Sequence, residues 1–357
     1  RLPVPAFLST LSASFLSTSS VMSTSVKSVA PLGTPPFKTP DPFLFCVYHR
    51  DDYPKGNGKM EAPRRGNGAD FDPNQPYRMY HGEKIPGFPQ HPHRGFETLT
   101  TTWQGSVDHT DSVGNAGRYG DGDLQWMTAG KGIVHGEMFP LVHADRPNPL
   151  RLYQIWLNLP AKSKMVDPAF VMHWHEEIPK IDSVPGVLAV VHAGTLMGKT
   201  GLPPPANSWA NDASNEVAVW CLKMQPGSSF DLPVAAGGDK INRMAYFVEG
   251  GGHSVDGKSI PDRALVSLDA SKGTKISNGG KEETEVLILQ GKPIGEPVAQ
   301  HGPFVMNTHQ EIQQCFTDYR ATQFGGWPWP DDAMAFPSDK GRFALVNGKE
   351  ERPPSLR

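Results

Sequence analysis

Short apolar segments separated by turn-forming residues dominate the chain. Glycine and proline account for 37 and 35 of the 357 residues and interrupt the sequence every several positions. Between them lie runs rich in valine, isoleucine, leucine, tyrosine and tryptophan, at residues 150–159, 187–192, 216–224, 244–249 and 285–289. Many short strands joined by tight turns are typical of barrels and sandwiches. The pattern therefore predicts a mainly β fold.

One segment near the end of the chain has helical periodicity instead. In HQEIQQCFTDYR, residues 309–320, the apolar side chains recur at helical spacing. Thr308 can cap this helix, and Glu311 occupies the position of a capping box. The pattern predicts a C-terminal helix that packs across the β body.

The length of the chain indicates two lobes, because a single core usually stops growing at roughly 250 to 300 residues. The strand-rich blocks cover residues 41–160 and 186–300. Residues 161–185 begin with proline-bounded, aperiodic sequence, which is typical of a linker. A polar stretch at residues 57–72 predicts a surface loop, and residues 301–357 form a C-terminal extension with the helix.

The first 40 residues differ in composition from the rest. They contain no Asp or Glu and many Ser and Thr, which is typical of an import presequence or of a disordered tail. Met22 could also be the initiator, in which case residues 1–21 are not translated. A presequence would place the protein in a plastid or mitochondrion, and otherwise the cytoplasm or nucleus is expected. Folded sequence is expected to start near Asp41.

Composition and charge exclude several classes of protein. The chain has 34 Lys and Arg against 37 Asp and Glu, so it offers no broad basic surface for nucleic acid. Its three cysteines are far apart and odd in number, which argues against a disulfide framework or a thiolate zinc site and favours a reducing compartment. Because no apolar run approaches about 18 residues, no membrane-spanning helix is predicted.

Two pairs of potential ligands recur at a spacing of two. HPHRGFETLT places His91 and His93 at the start of a strand, and GKGIVHGEMFP contains His135 and Glu137. Residues i and i+2 of a strand share one face. If neighbouring strands present both pairs to a barrel interior, imidazoles and a carboxylate converge in a set that suits a divalent transition metal. Such a set would leave coordination positions open for water, substrate or dioxygen.

The sequence around these pairs resembles the pirin family of the cupin superfamily. The resemblance rests on PGFPQHPHRGFETLTTTWQGSVDHTDSVGNAGRYGDGDLQWMTAGKGIVHGEMFP and continues through RLYQIWLNLPAKSKMVDPAF, EPVAQHGPFVMNTHQEI and FGGWPWP, so it covers nearly all of residues 41–357. It implies a tandem cupin, with two antiparallel β-barrels and a metal, generally iron, in the N-terminal barrel. The family's ligands fall on His91, His93, His135 and Glu137.

Other candidate residues have weaker support. The second block contains His253 without a partner and predicts a solvated loop histidine in a structural barrel, or one that binds partners. MHWHEEIP contains His173 and His175, which indicate either an extra metal site or, preferably, an exposed polar strand with Trp174 turned inward. Cys46 is expected to be a buried structural thiol.

The resemblance implies two functions. Members with quercetin 2,3-dioxygenase activity imply an oxidoreductase in which Glu137 is a metal ligand and the catalytic base for a small aromatic, flavonol-like substrate that reacts with dioxygen. Fe(II) is the favoured metal, and Zn, Mn, Ni or Cu are alternatives. The apolar residues near the ligands would form a pocket wall: Phe88, Phe96, Trp126, Met127, Met138 and Phe139.

Regulatory members of the family imply the alternative, an iron-dependent redox sensor that acts as a transcription co-regulator by binding a transcription factor. A third hypothesis is a zinc-loaded or metal-free structural cupin. In each case a monomer without direct nucleic-acid or membrane contact is expected.

Overall fold

The computed structural model describes residues 24–65 and 74–355. The hypotheses of a presequence and of an initiator at Met22 concern residues that lie mostly or entirely outside these ranges, as does part of the predicted loop at 57–72. The predicted mainly β fold with two cupin barrels and a C-terminal helix is confirmed. In the described ranges, no helix is long and apolar enough to cross a membrane.

Strands are the main regular element of the described structure. The first ten are β1 (Val26–Pro31), β2 (Phe43–Tyr53), β3 (Gly87–His93), β4 (Phe96–Gln104), β5 (Ser106–Asp111), β6 (Ala116–Gly120), β7 (Leu124–Thr128), β8 (Ile133–Met138), β9 (Asn148–Asn158) and β10 (Ala169–His173). The next ten are β11 (Lys180–Ile181), β12 (Val187–Ala193), β13 (Thr195–Leu196), β14 (Lys199–Thr200), β15 (Ala218–Met224), β16 (Ser229–Leu232), β17 (Asn242–Glu249), β18 (His253–Val255), β19 (Lys258–Ser259) and β20 (Ala264–Asp269). The last six are β21 (Thr274–Asn278), β22 (Thr284–Gly291), β23 (Ala299–His301), β24 (Phe304–Met306), β25 (Phe343–Val346) and β26 (Lys349–Glu351).

Over residues 24–65 and 74–355, helical structure is limited to α1 (His309–Thr322) and short 3₁₀ turns. These turns are Ala161–Ser163, Trp209–Asn211, Ala213–Asn215, Gly238–Lys240 and Gln323–Gly325. The predicted capping box of α1 is confirmed, because Thr308 and Glu311 hydrogen-bond each other's backbone N–H groups. The helix packs on the β23–β24 hairpin, and its Asp318 carboxylate lies 2.7 Å from the guanidinium of Arg94.

Each barrel is formed by a pair of antiparallel sheets. In the N-terminal barrel the strand orders are β10-β7-β4-β9-β2 and β26-β25-β6-β5-β8-β3. In the C-terminal barrel they are β1-β20-β17-β22-β15-β12-β11 and β16-β21-β18-β19. The five-stranded and seven-stranded sheets pack against each other, since Leu99 and Ile155 share one buried core with Val219 and Leu287.

Strand pairing corrects the predicted domain boundaries. β1 pairs with β20 of the C-terminal barrel, so the prediction that folded sequence starts near Asp41 is wrong. The segment predicted as a linker, residues 161–185, contains β10, which pairs with β7, and β11, which pairs with β12. In the C-terminal extension, β25 pairs with β6 of the N-terminal barrel. These strands are only two to six residues long, too short to give a clear alternating pattern.

Candidate metal centre

Two adjacent strands, β3 and β8, position the histidines of the N-terminal barrel. His91 lies directly opposite His135, and His93 lies opposite Ile133. The register of this pair is irregular between Phe88 and His91 but regular from His91 onwards. The two β3 histidines therefore face the same side as His135, as their spacing predicted.

The three imidazoles form a compact, largely buried cluster. Their ring centroids are 4.5 Å apart for His91 and His135, 4.8 Å for His91 and His93, and 4.9 Å for His93 and His135. One ring nitrogen from each of these histidines lies within 4.8 Å of the others. That spacing allows the three nitrogens to bind one ion.

Hydrogen bonding prepares the imidazoles to act as ligands. Nδ1 of His91 lies 2.9 Å from the Pro89 carbonyl oxygen, and Nδ1 of His93 lies 3.4 Å from that of Pro303. Because a carbonyl oxygen only accepts, each Nδ1 carries the proton and each Nε2 keeps a free lone pair. Neither nitrogen of His135 has a hydrogen-bond partner among the described residues.

Burial keeps the cluster uncharged. It lowers the pKa of His91 to about 4 and the pKa values of His93 and His135 well below the usual range, because charged imidazolium loses its hydration inside the barrel. Neutral imidazole is the form that transition metals bind. The unpartnered nitrogens of His135 and the neutral rings together fit a transition-metal ion.

Glu137 lies beside this cluster and is held by two neighbouring strands. The Thr100 hydroxyl donates to its Oε1 at 3.1 Å, and Gln154 Nε2 donates to its Oε2 at 2.6 Å. Burial raises the pKa of Glu137, while these donors act in the opposite direction. The ligand atoms that lie within 4.8 Å of one another belong to His91, His93 and His135, and the Glu137 carboxylate lies outside this group. The structure thus joins three members of the predicted set and places the fourth on the same face of β8.

Only some of the predicted pocket residues surround the cluster. Phe88 lies opposite Glu137, and its ring centroid is 6.3 Å from that of His91. The Phe96 ring lies 5.0 Å from His93. Met127 packs on Ile133 at the end of β8 that approaches His93.

Two predicted pocket residues, Trp126 and Met138, point elsewhere. Trp126 belongs to the core between the barrels, because side chains alternate along β7 and Met127 takes the inner face. The same alternation along β8 turns Met138 away from the face of Glu137. Phe139 follows the end of β8, and its ring centroid lies 6.0 Å from that of Phe88.

Several residues of the site were not predicted. His109 lies opposite Glu137, with its ring centroid 5.4 Å from that of His135. The Trp156 ring lies 5.4 Å from His93. Thr100 and Gln154 were missed as well, although the alternating threonines of ETLTTTWQ were a usable signal, since alternate hydroxyls on a buried strand need partners inside the barrel.

Among the described residues outside this cluster, no three histidines form a second group of this kind. His253 is a buried strand residue that hydrogen-bonds Thr284, so its prediction as a solvated loop residue is wrong. His173 is also buried, and its Nε2 donates to the Pro203 carbonyl oxygen at 3.0 Å. The prediction that His173 lies on an exposed polar strand is therefore wrong. Trp174 is buried as predicted.

A ligand atom from each of Asp123, His175 and Glu176 lies within 4.8 Å of the others, a spacing that would allow a cation to bind. In this structure His175 belongs to an ion-pair network. Its ring approaches the carboxylates of Asp123 and Glu176, and the Arg342 guanidinium contacts all three side chains. The arginine supplies the positive charge that a cation would otherwise bring to these carboxylates. Cys46 is fully buried as predicted, and burial raises the pKa of its thiol.

The fold and the site together define a class of protein, a bicupin with a histidine cluster inside its N-terminal barrel. The family model described as Pirin matches residues 39–157, and that of the Pirin C-terminal cupin domain matches residues 219–325. The chain belongs to the pirin family. It is 37% identical over 243 residues to a pirin-like protein of Solanum lycopersicum, covering 67% of this chain and 77% of that relative. It is 34% identical over 261 residues to pirin of Homo sapiens, covering 71% and 83%.

A solved structure has the same architecture over most of its length. The crystal structure of quercetin 2,3-dioxygenase from Acinetobacter baumannii superimposes with a TM-score of 0.65 at 26% sequence identity. The match covers 85% of this chain and 96% of that chain. The likeness therefore extends across both barrels.

Proposed function

We propose that the N-terminal barrel is a mononuclear iron centre that oxygenates flavonol-like aromatic substrates, as a quercetin 2,3-dioxygenase does. The observation that carries the proposal is the environment of His135. Its imidazole is fully buried, neither nitrogen has a partner within the described ranges, and its ring centroid lies within 4.9 Å of those of the neutral His91 and His93 rings. Such an arrangement is costly for a protein unless a ligand satisfies the nitrogens.

Glu137 completes the proposed site in two roles. Its carboxylate adds an oxygen ligand to the imidazoles, a mixed set that suits Fe(II), with Zn, Mn, Ni or Cu as alternatives. A bound ion would supply a Lewis-acidic position for the substrate oxygen and redox chemistry for dioxygen. Glu137 would also accept the proton of the substrate hydroxyl, while Thr100 and Gln154 fix its orientation.

Aromatic side chains beside the cluster supply apolar walls for a flat aromatic substrate. Phe88 lies near His91, and Phe96 and Trp156 lie near His93, with the Phe96 and Trp156 ring centroids 4.3 Å apart. Such walls exclude water from the reacting atoms. The name of the Acinetobacter baumannii structure supports the choice of a flavonol.

Elemental analysis of anaerobically purified protein, followed at once by oxygen uptake with quercetin, tests the proposal. We expect near-stoichiometric iron, and uptake that disappears in Glu137→Ala but persists in the control Glu177→Ala, which alters an exposed carboxylate. Iron without uptake in the unmodified protein would reject the oxygenase and favour an iron-dependent redox-sensing co-regulator. Zinc alone, or no metal, would reject the iron centre.

A further inference from the structure

A row of polar side chains crosses the inner face of the five-stranded sheet beside Glu137. Gln125 on β7 lies directly opposite Thr100 on β4, which in turn lies opposite Gln154 on β9. Directly opposed residues of antiparallel strands project from the same face, with Cβ atoms about 5 Å apart. Because Thr100 and Gln154 both donate to Glu137, the Gln125 side chain projects into the same interior.

Gln125 differs from its neighbours in the row because its amide is unsatisfied. The residue is 0% exposed, and neither Nε2 nor Oε1 has a hydrogen-bond partner in the described parts of the chain. A buried primary amide without partners is strongly disfavoured, since both its donors and its acceptor lose their hydration. The row therefore presents a free donor and acceptor pair next to the groups that hold Glu137.

Further unsatisfied polar atoms lie on the same face of the sheet. Thr98, two residues before Thr100, lies opposite Trp156, and neither Thr98 Oγ1 nor Trp156 Nε1 has a partner among the residues described. The Trp156 ring is also the one that approaches His93. Unpaired hydrogen-bonding atoms thus extend from the row of Gln125 towards the histidine cluster.

We infer that Gln125 is a specificity-determining residue that binds phenolic hydroxyl groups of the substrate. A hydroxyl group both donates and accepts, so neighbouring ring hydroxyls can satisfy Oε1 and Nε2 of one amide, and Thr98 and Trp156 offer the same chemistry nearby. The substrate class is accordingly a polyhydroxylated aromatic. This inference rests on the proposed function for the reaction but concerns a separate property, the selection of the ligand.

Anaerobic binding measurements separate the two claims. Dissociation constants are measured by absorbance for quercetin and for 3-hydroxyflavone, which keeps the keto-enol edge but lacks the other hydroxyls. The proteins are the unmodified chain, Gln125→Met, and the control Gln300→Met, which alters an exposed glutamine on β23. Metal content and circular dichroism are recorded for each protein.

We expect the unmodified chain and Gln300→Met to bind quercetin at least about tenfold more tightly than 3-hydroxyflavone, the effect of one good hydrogen bond. In Gln125→Met this preference should largely vanish while metal content is kept. If Gln125→Met does not fold, Gln125→Glu replaces it, because that variant keeps an acceptor and loses the amide donors. Gln125→Glu should reduce the difference in dissociation constant between quercetin and 3-hydroxyflavone.

An undiminished preference in the folded Gln125 variant would overturn the inference and leave an amide that only orders water. Failure of the unmodified chain to bind either flavonol would overturn the inference together with the proposed substrate. A Gln125-dependent preference without oxygen uptake would instead uphold the inference and reject the oxygenase.

Discussion

His91 lies directly opposite His135 across the β3–β8 ladder, and their ring centroids are 4.5 Å apart. Backbone hydrogen bonds of a sheet thus fix the relative positions of these rings. His93 is held in the same way, because it lies on β3 two residues after His91. Sites built on strands are held more precisely than sites built on loops. The cluster is therefore organised by the barrel itself.

Replacement of His135 should remove metal without unfolding the chain. We expect His135→Ala to lower bound metal by at least about tenfold, a larger effect than many changes outside the ligand set produce. His175→Ala, which alters a histidine of the Arg342 network, should leave metal content unchanged. Elemental analysis with circular dichroism checks both variants, and full metal occupancy in folded His135→Ala would show that the ligand assignment is wrong.

The hydrogen bond from Gln154 should matter for the metal although Gln154 is not a proposed ligand. Its Nε2 lies 2.6 Å from Glu137 Oε2, and loss of a group that orients a ligand typically costs 10- to 100-fold in metal affinity. We expect Gln154→Leu to weaken metal binding in this range, as measured by competition with a chelator. The control Gln104→Leu alters an exposed glutamine at the end of β4 and should bind metal normally.

Glu97 makes stability depend on pH. It lies at the interface of the barrels, where the Thr128 and Ser208 hydroxyls donate to it at 2.6 and 2.5 Å. Burial is the main cause that raises its pKa from 4.5 to about 7. The folded state therefore holds this proton more tightly than the unfolded state does, and its contribution to stability, present at low pH, is lost as the pH rises from about 4.5 to 7.

Glu97→Gln should abolish this contribution to the pH dependence. The loss between the two pH limits amounts to roughly 3 kcal/mol for a shift of this size, and the glutamine variant should lack it. Urea unfolding at pH 5 and pH 8 measures the difference. Equal pH dependence in both proteins would mean that Glu97 is ionised in the folded state across this range.

Arg342 should stabilise the attachment of the C-terminal extension. Its guanidinium Nη1 lies 2.7 Å from Asp123 Oδ1, whose side chain is fully buried, and it also pairs with Glu176. Because Arg342 itself is partly exposed, we expect Arg342→Ala to cost about 2 kcal/mol, less than the loss of a fully buried pair. Thermal unfolding checks this, with Arg352→Ala, which alters a more exposed arginine, as the control without a marked shift.

Sequence patterns predicted the features that depend on neighbouring residues. The apolar run at residues 187–192 lies within β12 of the structure. The capping residues Thr308 and Glu311 correctly predicted where α1 begins. The spacing of His91 and His93 predicted their shared face, because alternation along a strand needs no knowledge of its partners.

Features that depend on distant strands could not be predicted in the same way. The alternation of side chains along a strand predicts that Trp126 and Met127 face opposite sides of the sheet. Only the packing of the second barrel decides which of them faces the metal cluster. The unsatisfied amide of Gln125 follows from its register with Thr100 across β4 and β7. β1 gave no strand signal because it is an edge strand of six residues, none of which is buried.

The exchange of terminal strands has a consequence for dissection of the molecule. β1 covers the free edge of β20 in the C-terminal barrel, and β25 covers that of β6 in the N-terminal barrel. A fragment cut between the barrels would expose unpaired edges on both halves, and such edges are templates for aggregation. The barrels are therefore not interchangeable modules, and grafting one of them into a chimera would require the strand from the opposite end of the polypeptide.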